Sequence, residues 1–169
     1  MTYPPQENPY GAQGYGAQGY GAPAPVLASW GQRVGANLID GLPTVAIILV
    51  AVIISVALGT STDPATGVQT PSAASGLVLV LGYVLGFLVY GYNRWYLAGK
   101  TGQSWGKKVL GLKLIKEATG QPIGFGLAFA RDIVHNIIDG ICLIGYLFPL
   151  WDAKKQTIAD KLLSTLVVK

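Results

Sequence analysis

Two long apolar runs dominate the pattern of the chain. No charged residue occurs from Gly41 to Thr62, or from Pro64 to Asn93. Within those gaps, the runs 42–59 and 76–92 approach the ~17–25 residues a helix needs to cross hydrocarbon. Ser29 is placed to cap a first helix that continues to about Leu58, with a kink expected at Pro43, which has no amide to give to the carbonyl of Ile39. A second helix is predicted from about Gly76 to Leu97. Its Gly82 and Gly86 form a small-xxx-small pair that admits close helix packing, within or between protomers. Tyr90, Tyr92, Trp95 and Tyr96 give its end the aromatic character of a membrane interface.

A third apolar region, 125–151, is broken by Gly140, Gly145 and Pro149. One reading is a single crossing. The other is a re-entrant arrangement, a deep helix and a short return, which keeps Lys154, Lys155 and Lys161 on the same side as the other basic residues. Val109–Ile115 has strand character and could pair with Leu166-Val167-Val168. The alternative there is an amphipathic interfacial helix through Trp105–Lys116. The predicted fold class is an all-α membrane protein: a small polytopic helical bundle of three hydrophobic segments with a short cytoplasmic β-hairpin or amphipathic segment.

Composition supports that class. Charged residues make up 12% of the 169 and hydrophobic ones 51%, against roughly 25% charged in an average soluble domain. Residues 1–28 differ from the rest: Tyr10-Gly11-Ala12-Gln13-Gly14 repeats as Tyr15-Gly16-Ala17-Gln18-Gly19. Too few aliphatic side chains are present to offset backbone ordering, so 1–28 is expected to be a disordered cytoplasmic tail and 29–169 the transmembrane domain. The tail has no basic n-region and does not resemble a cleavable signal. Cys142, the single cysteine, lies among apolar neighbours and reads as a packing residue.

Loop charges set the expected orientation. Residues 60–75 carry only Asp63, whereas 94–116 carry Arg94, Lys100, Lys107, Lys108, Lys113 and Lys116. The positive-inside rule places the former outside and the latter, with the N-terminus, in the cytoplasm. Basic residues beside apolar segments point to anionic lipid headgroups as partners rather than nucleic acid.

Polar residues on these segments are the candidate site. Arg33, Asn37 and Asp40 fall on one face of the first helix, with Asp40 ~10 Å deeper than Arg33 at ~1.5 Å per residue. Asp132, His135, Asn136 and Asp139 form a second stripe on the third segment, with Arg131 beside it. Facing each other, the stripes would form a path on which Asp40 and Asp139 bind a cation or exchange protons. His135 would titrate near neutral pH, and Arg33 would keep a carboxylate ionised. The competing reading is a set of buried ion pairs that fix helix register. Gly102-Gln103-Ser104-Trp105-Gly106-Lys107-Lys108 is one residue short of a phosphate loop and lacks the Ser or Thr after Lys.

Arg33, an aspartate seven residues on, and Lys155-Gln156-Thr157-Ile158-Ala159-Asp160-Lys161 followed by Thr165-Leu166-Val167-Val168 resemble the RDD family of bacterial membrane proteins. The resemblance covers about Val26 to Lys169, including Thr101-Gly102 and Gly106-Lys107 before Gly111-Leu112. Pro/Gly/Tyr-rich tails of this kind look like those of actinobacterial members. It implies that Arg33 is the family arginine, Asp40 the first aspartate and Asp160 the second, with Asp132 and Asp139 as rivals for that place. The position before Asp160, often histidine in the family, is Ala159 here. It further implies a multi-pass protein of the bacterial inner membrane, with transport suggested and cation/proton exchange proposed for some relatives.

The expected function is therefore transport or exchange of a small ligand or cation through the polar site, by a homo-oligomer. The alternative is a non-transporting scaffold or accessory subunit that recruits partners or anionic lipid. No enzyme activity, catalytic residue, cofactor or metal centre is expected.

Overall fold

The computed structural model describes residues 25–139 and 144–169. The repetitive tail up to residue 24, Gly140 and Cys142 lie outside the described residues, as does the side chain of Asp139.

Helix α1 (Trp30–Ala57) begins at a reciprocal cap. Ser29 Oγ accepts from the amide of Gln32 at 3.3 Å, and Gln32 Oε1 accepts from the amide of Ser29 at 3.0 Å. Two of the amides that have no partner inside the first helical turn are thereby satisfied. Pro43 lies inside the helix, which continues through it. Ser29→Ala is expected to lower stability by about 1 kcal/mol, measured by thermal unfolding in detergent.

The connection after α1 is an antiparallel ribbon, β1 (Thr60–Thr62) against β2 (Gln69–Pro71), which the all-α expectation did not include. Asp63 Oδ1 accepts from the amide of Ala65 at 2.8 Å, and Gly67 takes a positive φ, so Asp63-Pro64-Ala65-Thr66-Gly67 turns tightly enough for its flanks to pair. Helix α2 (Ala73–Gly91) returns antiparallel to α1 and passes into a π-helical turn at Tyr92–Leu97, then α3 (Ala98–Thr101). Gly82 is the closest approach of the hairpin: a Cβ there would lie 2.3 Å from the Cβ of Ala51. Gly86 is looser, 3.5 Å from side-chain atoms of Thr44 and Ile48. Both glycines face α1 of their own chain.

The outward faces of the hairpin carry Leu42, Val45, Leu49, Val56, Val80 and Phe87, all more than half exposed. In each candidate span only 17% of the most apolar window is buried. Such surface is stable in hydrocarbon and costly in water.

Around the other end of the hairpin the chain builds a compact cap. Helix α4 (Trp105–Val109) ends at Gly111, whose positive φ redirects the chain into β3 (Lys113–Lys116). The segment for which strand and amphipathic helix were both open therefore divides, helix first and strand second. Strand β3 pairs antiparallel with β4 (Thr165–Val168), Leu114 opposite Val167. These partners lie far apart in sequence, so the ribbon is no hairpin. Residues 26–28 line the other edge of β4, with the amide of Ala28 donating to Val167 O at 2.9 Å. Leu112, Leu114, Ile123 and Val167 fill the core beneath, with Ala28, Ala36 and Ala128.

Among the described residues two helices are long and apolar enough to cross a membrane. The described parts of the third apolar region are shorter pieces. They form helix α5 (Gly124–Val134), a π-helical segment His135–Asp139, helix α6 (Ile144–Leu147) and a 3-10 turn Phe148–Leu150. Arg131 and Asp132 on α5 are buried against the cap and the end of α2. The last helix, α7 (Ile158–Leu162), precedes β4.

Candidate functional site

Three carboxylates organise the junction between hairpin and cap. Asp160 sits in the first turn of α7, where the Thr157 hydroxyl accepts from its amide and its own Oδ2 accepts from the amide of Thr157 at 3.2 Å. The same Oδ2 takes a hydrogen bond from Arg33 Nη1 at 2.7 Å. Oδ1 accepts from Arg131 Nε at 2.8 Å and from the Thr165 hydroxyl at 2.9 Å. The Asp160 side chain is completely buried. Burial by itself would raise its pKa, but Arg131 and Arg33 outweigh that and hold it below the ordinary carboxylate value.

Asp40 lies about two turns along α1 from Arg33. Its Oδ1 accepts from Asn93 Nδ2 at 2.8 Å and from the Gly106 amide at 2.7 Å, and Oδ2 accepts from Ser104 Oγ at 2.6 Å. Asn93 is presented by the π-helical turn and also accepts from the amide of Trp105 at 2.8 Å. Asp40 therefore ties α1 to the end of α2 and to the start of α4. Asp132 is the third centre. Arg94 donates to its Oδ1 through Nη2 at 2.8 Å and Nε at 3.1 Å, while Tyr90 OH at 2.6 Å and Trp95 Nε1 at 3.0 Å serve Oδ2.

The two polar stripes thus meet through basic residues rather than carboxylate to carboxylate. Arg94 bridges them: it holds Asp132 on α5 and donates from Nη1 to Asn37 Oδ1 on α1 at 3.1 Å. Asn136 turns back to donate to the Asp132 carbonyl at 2.7 Å. His135 is buried, stacked on Tyr146 with ring centroids 5.1 Å apart. Burial first, then the nearby Arg131, pushes its pKa down to about 3. The expected titration near neutral pH is corrected accordingly: in this setting the imidazole is neutral.

Between these centres lies a partly enclosed cavity of about 40 Å³, whose wall includes Arg33, Asn37, Arg94, Lys107, Arg131 and His135. None of the described residues lining it is a carboxylate. Lys107 is buried, and its Nζ donates to Ser104 Oγ at 3.2 Å. Burial, followed by repulsion from Arg94 and Arg131, pushes its pKa down to about 7. Arg33 is 8% exposed, and its Nη2 has no hydrogen-bond partner among the described residues.

Arg94, Asn93, Ser104, Gly106 and Lys107 were not among the expected site residues. Arg94 had counted only as loop charge, and Lys107 as loop charge and as part of the family match. A signal for Arg94 exists: it is the first charge after a long uncharged run, bracketed by Asn93 and Trp95.

Comparison with known proteins follows the same residues. The sequence profile described as the RDD family matches residues 27–164. The chain is similar to the "Proline-rich antigen homolog" of Mycobacterium tuberculosis (strain ATCC 25618 / H37Rv), 40% identical over 148 residues, which covers 82% of this chain and 62% of that protein. It is 53% identical over 79 residues to the "Proline-rich antigen" of Mycobacterium leprae (strain TN), covering 47% of this chain and 31% of the relative. The chain thus spans a little under two thirds of the longer-matched relative. No solved structure matches.

Proposed function

Since the chain belongs to the RDD family, we propose that it works as a membrane-anchored accessory or scaffold module rather than as a cation pathway. The observation that carries this reading is the saturation of the family's two aspartates. Asp40 and Asp160 each accept at least three hydrogen bonds from fixed donors. A carboxylate that must bind and release a cation in each cycle would first have to break them. The hairpin beyond Asp40 adds nothing ionisable up to Thr62. Its buried polar contact at the far end is Ser55 with Ser75, at 2.5 Å.

On this reading the apolar runs cross the bacterial inner membrane, with the N-terminus and the cap in the cytoplasm. Helix α1 has 28 residues, ~42 Å at ~1.5 Å each, more than the ~30 Å hydrocarbon layer. The excess leaves the turns bearing Arg33, Asn37 and Asp40 at the cytoplasmic interface. Exposed Lys100, Lys108, Lys113 and Lys116 then face anionic headgroups. Bare apolar faces on both helices suit lipid or a second copy. No catalysis is assigned to the site.

The second reading, transport or exchange of a small ligand by an oligomer, draws on the cavity at the hairpin's polar end. Vesicles containing purified protein separate the two. Dissipation of a pH gradient on adding Na⁺, K⁺ or Li⁺ is expected to match protein-free vesicles, for wild type and for Asp40→Asn. Cation-dependent flux in wild type that is lost in Asp40→Asn would replace the scaffold reading with exchange.

A further inference from the structure

We propose that the cavity at the hairpin–cap junction is a binding site for a small oxyanion, held by Arg33, Lys107, Arg94 and Arg131. Three observations carry it. The first is the composition of the wall: four basic side chains converge, and none of the described lining residues is acidic. The carboxylates that offset the guanidiniums, Asp160 and Asp132, stand behind them and outside the lining set.

The second is charge balance. Asp160 serves Arg33 and Arg131, and Asp132 serves Arg94. The hydrogen-bond partner of Lys107 is a neutral hydroxyl, Ser104, which in turn donates to Asp40. Among the described residues the junction therefore sets four basic groups against Asp40, Asp132 and Asp160. A buried excess cation is expensive, and is relieved by losing a proton or gaining an anion. Burial and the neighbouring Arg94 and Arg131 lower the pKa of Lys107 accordingly.

The third is an unused donor. Arg33 lines the cavity, is more than nine-tenths buried, and holds Asp160 through Nη1, leaving Nη2 without a partner. A buried guanidinium nitrogen left unsatisfied costs free energy that an anion's oxygen recovers. With about 40 Å³, and ~10–15 Å³ of such space per water, the cavity takes an ion the size of nitrate, bicarbonate or acetate. Gluconate, several times bulkier, is the size control. The inference does not depend on whether the chain transports anything.

The test uses the full chain purified in a zwitterionic detergent, without added lipid, so that free anions are separated from lipid phosphates. Thermal unfolding is followed at constant ionic strength while gluconate is exchanged for nitrate, acetate, chloride or phosphate. A saturable rise in unfolding temperature with nitrate or acetate, absent with gluconate, is expected. Lys107→Met, which removes the uncompensated charge and keeps the volume, should weaken that binding by about tenfold or more while remaining folded by circular dichroism. Lys108→Met, at an exposed neighbour, should leave it unchanged.

Proton uptake is the independent readout. The charged groups acting on Lys107 are Arg94, Arg131, Asp40 and Asp160, with His135 also on the cavity wall. An anion raises the Lys107 pKa from about 7, so binding should take up protons at pH 8 and almost none at pH 6. Equal shifts in gluconate and nitrate, or saturable binding that survives intact in Lys107→Met, would overturn the proposal.

Discussion

Asp160→Asn is expected to lower stability by about 3–5 kcal/mol, because it removes the charge that two buried arginines share. Arg33 and Arg131 stay 8–9% exposed, and among the described residues Asp160 is the carboxylate each pairs with; an asparagine can satisfy neither as an anion does. Arg33→Met should cost less, since Asp160 keeps Arg131, Thr165 and the Thr157 amide. That ranking distinguishes a shared anionic hub from an ordinary ion pair, where either truncation costs alike. Thermal unfolding in detergent at pH 7 measures both. The same carboxylate sets an acid limit. Its folded pKa is depressed below the ordinary 3.8, so its stabilisation is fully present above about pH 4. It is lost as pH falls toward the folded value. Acid destabilisation below about pH 4 should be shallower in Asp160→Asn than in wild type. Equal stability of wild type and Asp160→Asn at pH 7 would remove Asp160 from the centre of the cap.

Gly106→Ala carries the second large effect, and it acts through backbone rather than charge. A Cβ at position 106 would lie 2.0 Å from the carbonyl oxygen of Ala36 and 2.8 Å from its carbon. No rotamer relieves a clash between a Cβ and a helix backbone, so α4 must lift off α1. With it go the Gly106 amide and the Ser104 hydroxyl, two of the donors to Asp40. A loss of about 3 kcal/mol is expected, the upper part of the usual range for overpacking. Gly31→Ala is the matched control: nothing lies within 4 Å of its Cβ position, on the same helix that Gly106 abuts. It should be neutral or slightly stabilising through helix propensity. Purified yield and unfolding temperature of the two variants check the contrast, and similar values would mean that α4 is not seated on α1 as described.

How much of this was legible in the sequence follows from the range of the interactions. The hairpin and the Ser29 cap rest on contiguous patterns, and periodicity and spacing expose those directly. Pairing of Leu166-Val167-Val168 with the strand after Gly111 was readable too, because both are short β-branched or aliphatic runs next to turn residues. The third apolar region was harder to read because hydropathy counts Phe125, Leu127, Ile133 and their neighbours without regard to Arg131 and Asp132. Those two charges find partners on Asp160 and on Arg94. The site itself was hardest to read, for Arg33 and Asp160 are 127 residues apart and only the resemblance named both. The stripe geometry assigned Arg33, Asn37 and Asp40 one common face. The structure gives each a different partner across about 60° of helix, a separation that face-level arguments blur. Gly106 left no periodic trace at all, because its role is the absence of a side chain.

The Arg33–Asp160 pairing also has a bearing on how the chain is made. Arg33 leaves the ribosome 127 residues ahead of Asp160, on the order of ten seconds at ~5–20 residues per second. During that interval both apolar helices are already made while Arg33 lacks its Asp160 counter-ion. Asn93 and Ser104 come earlier, so the Asp40 centre can assemble first, locking the hairpin before the cap can close. Strand β4 follows both centres in the chain, and residues 26–28 pair with its edge. A chain interrupted before residue 160 would therefore present Arg33 and Arg131 without the carboxylate they share.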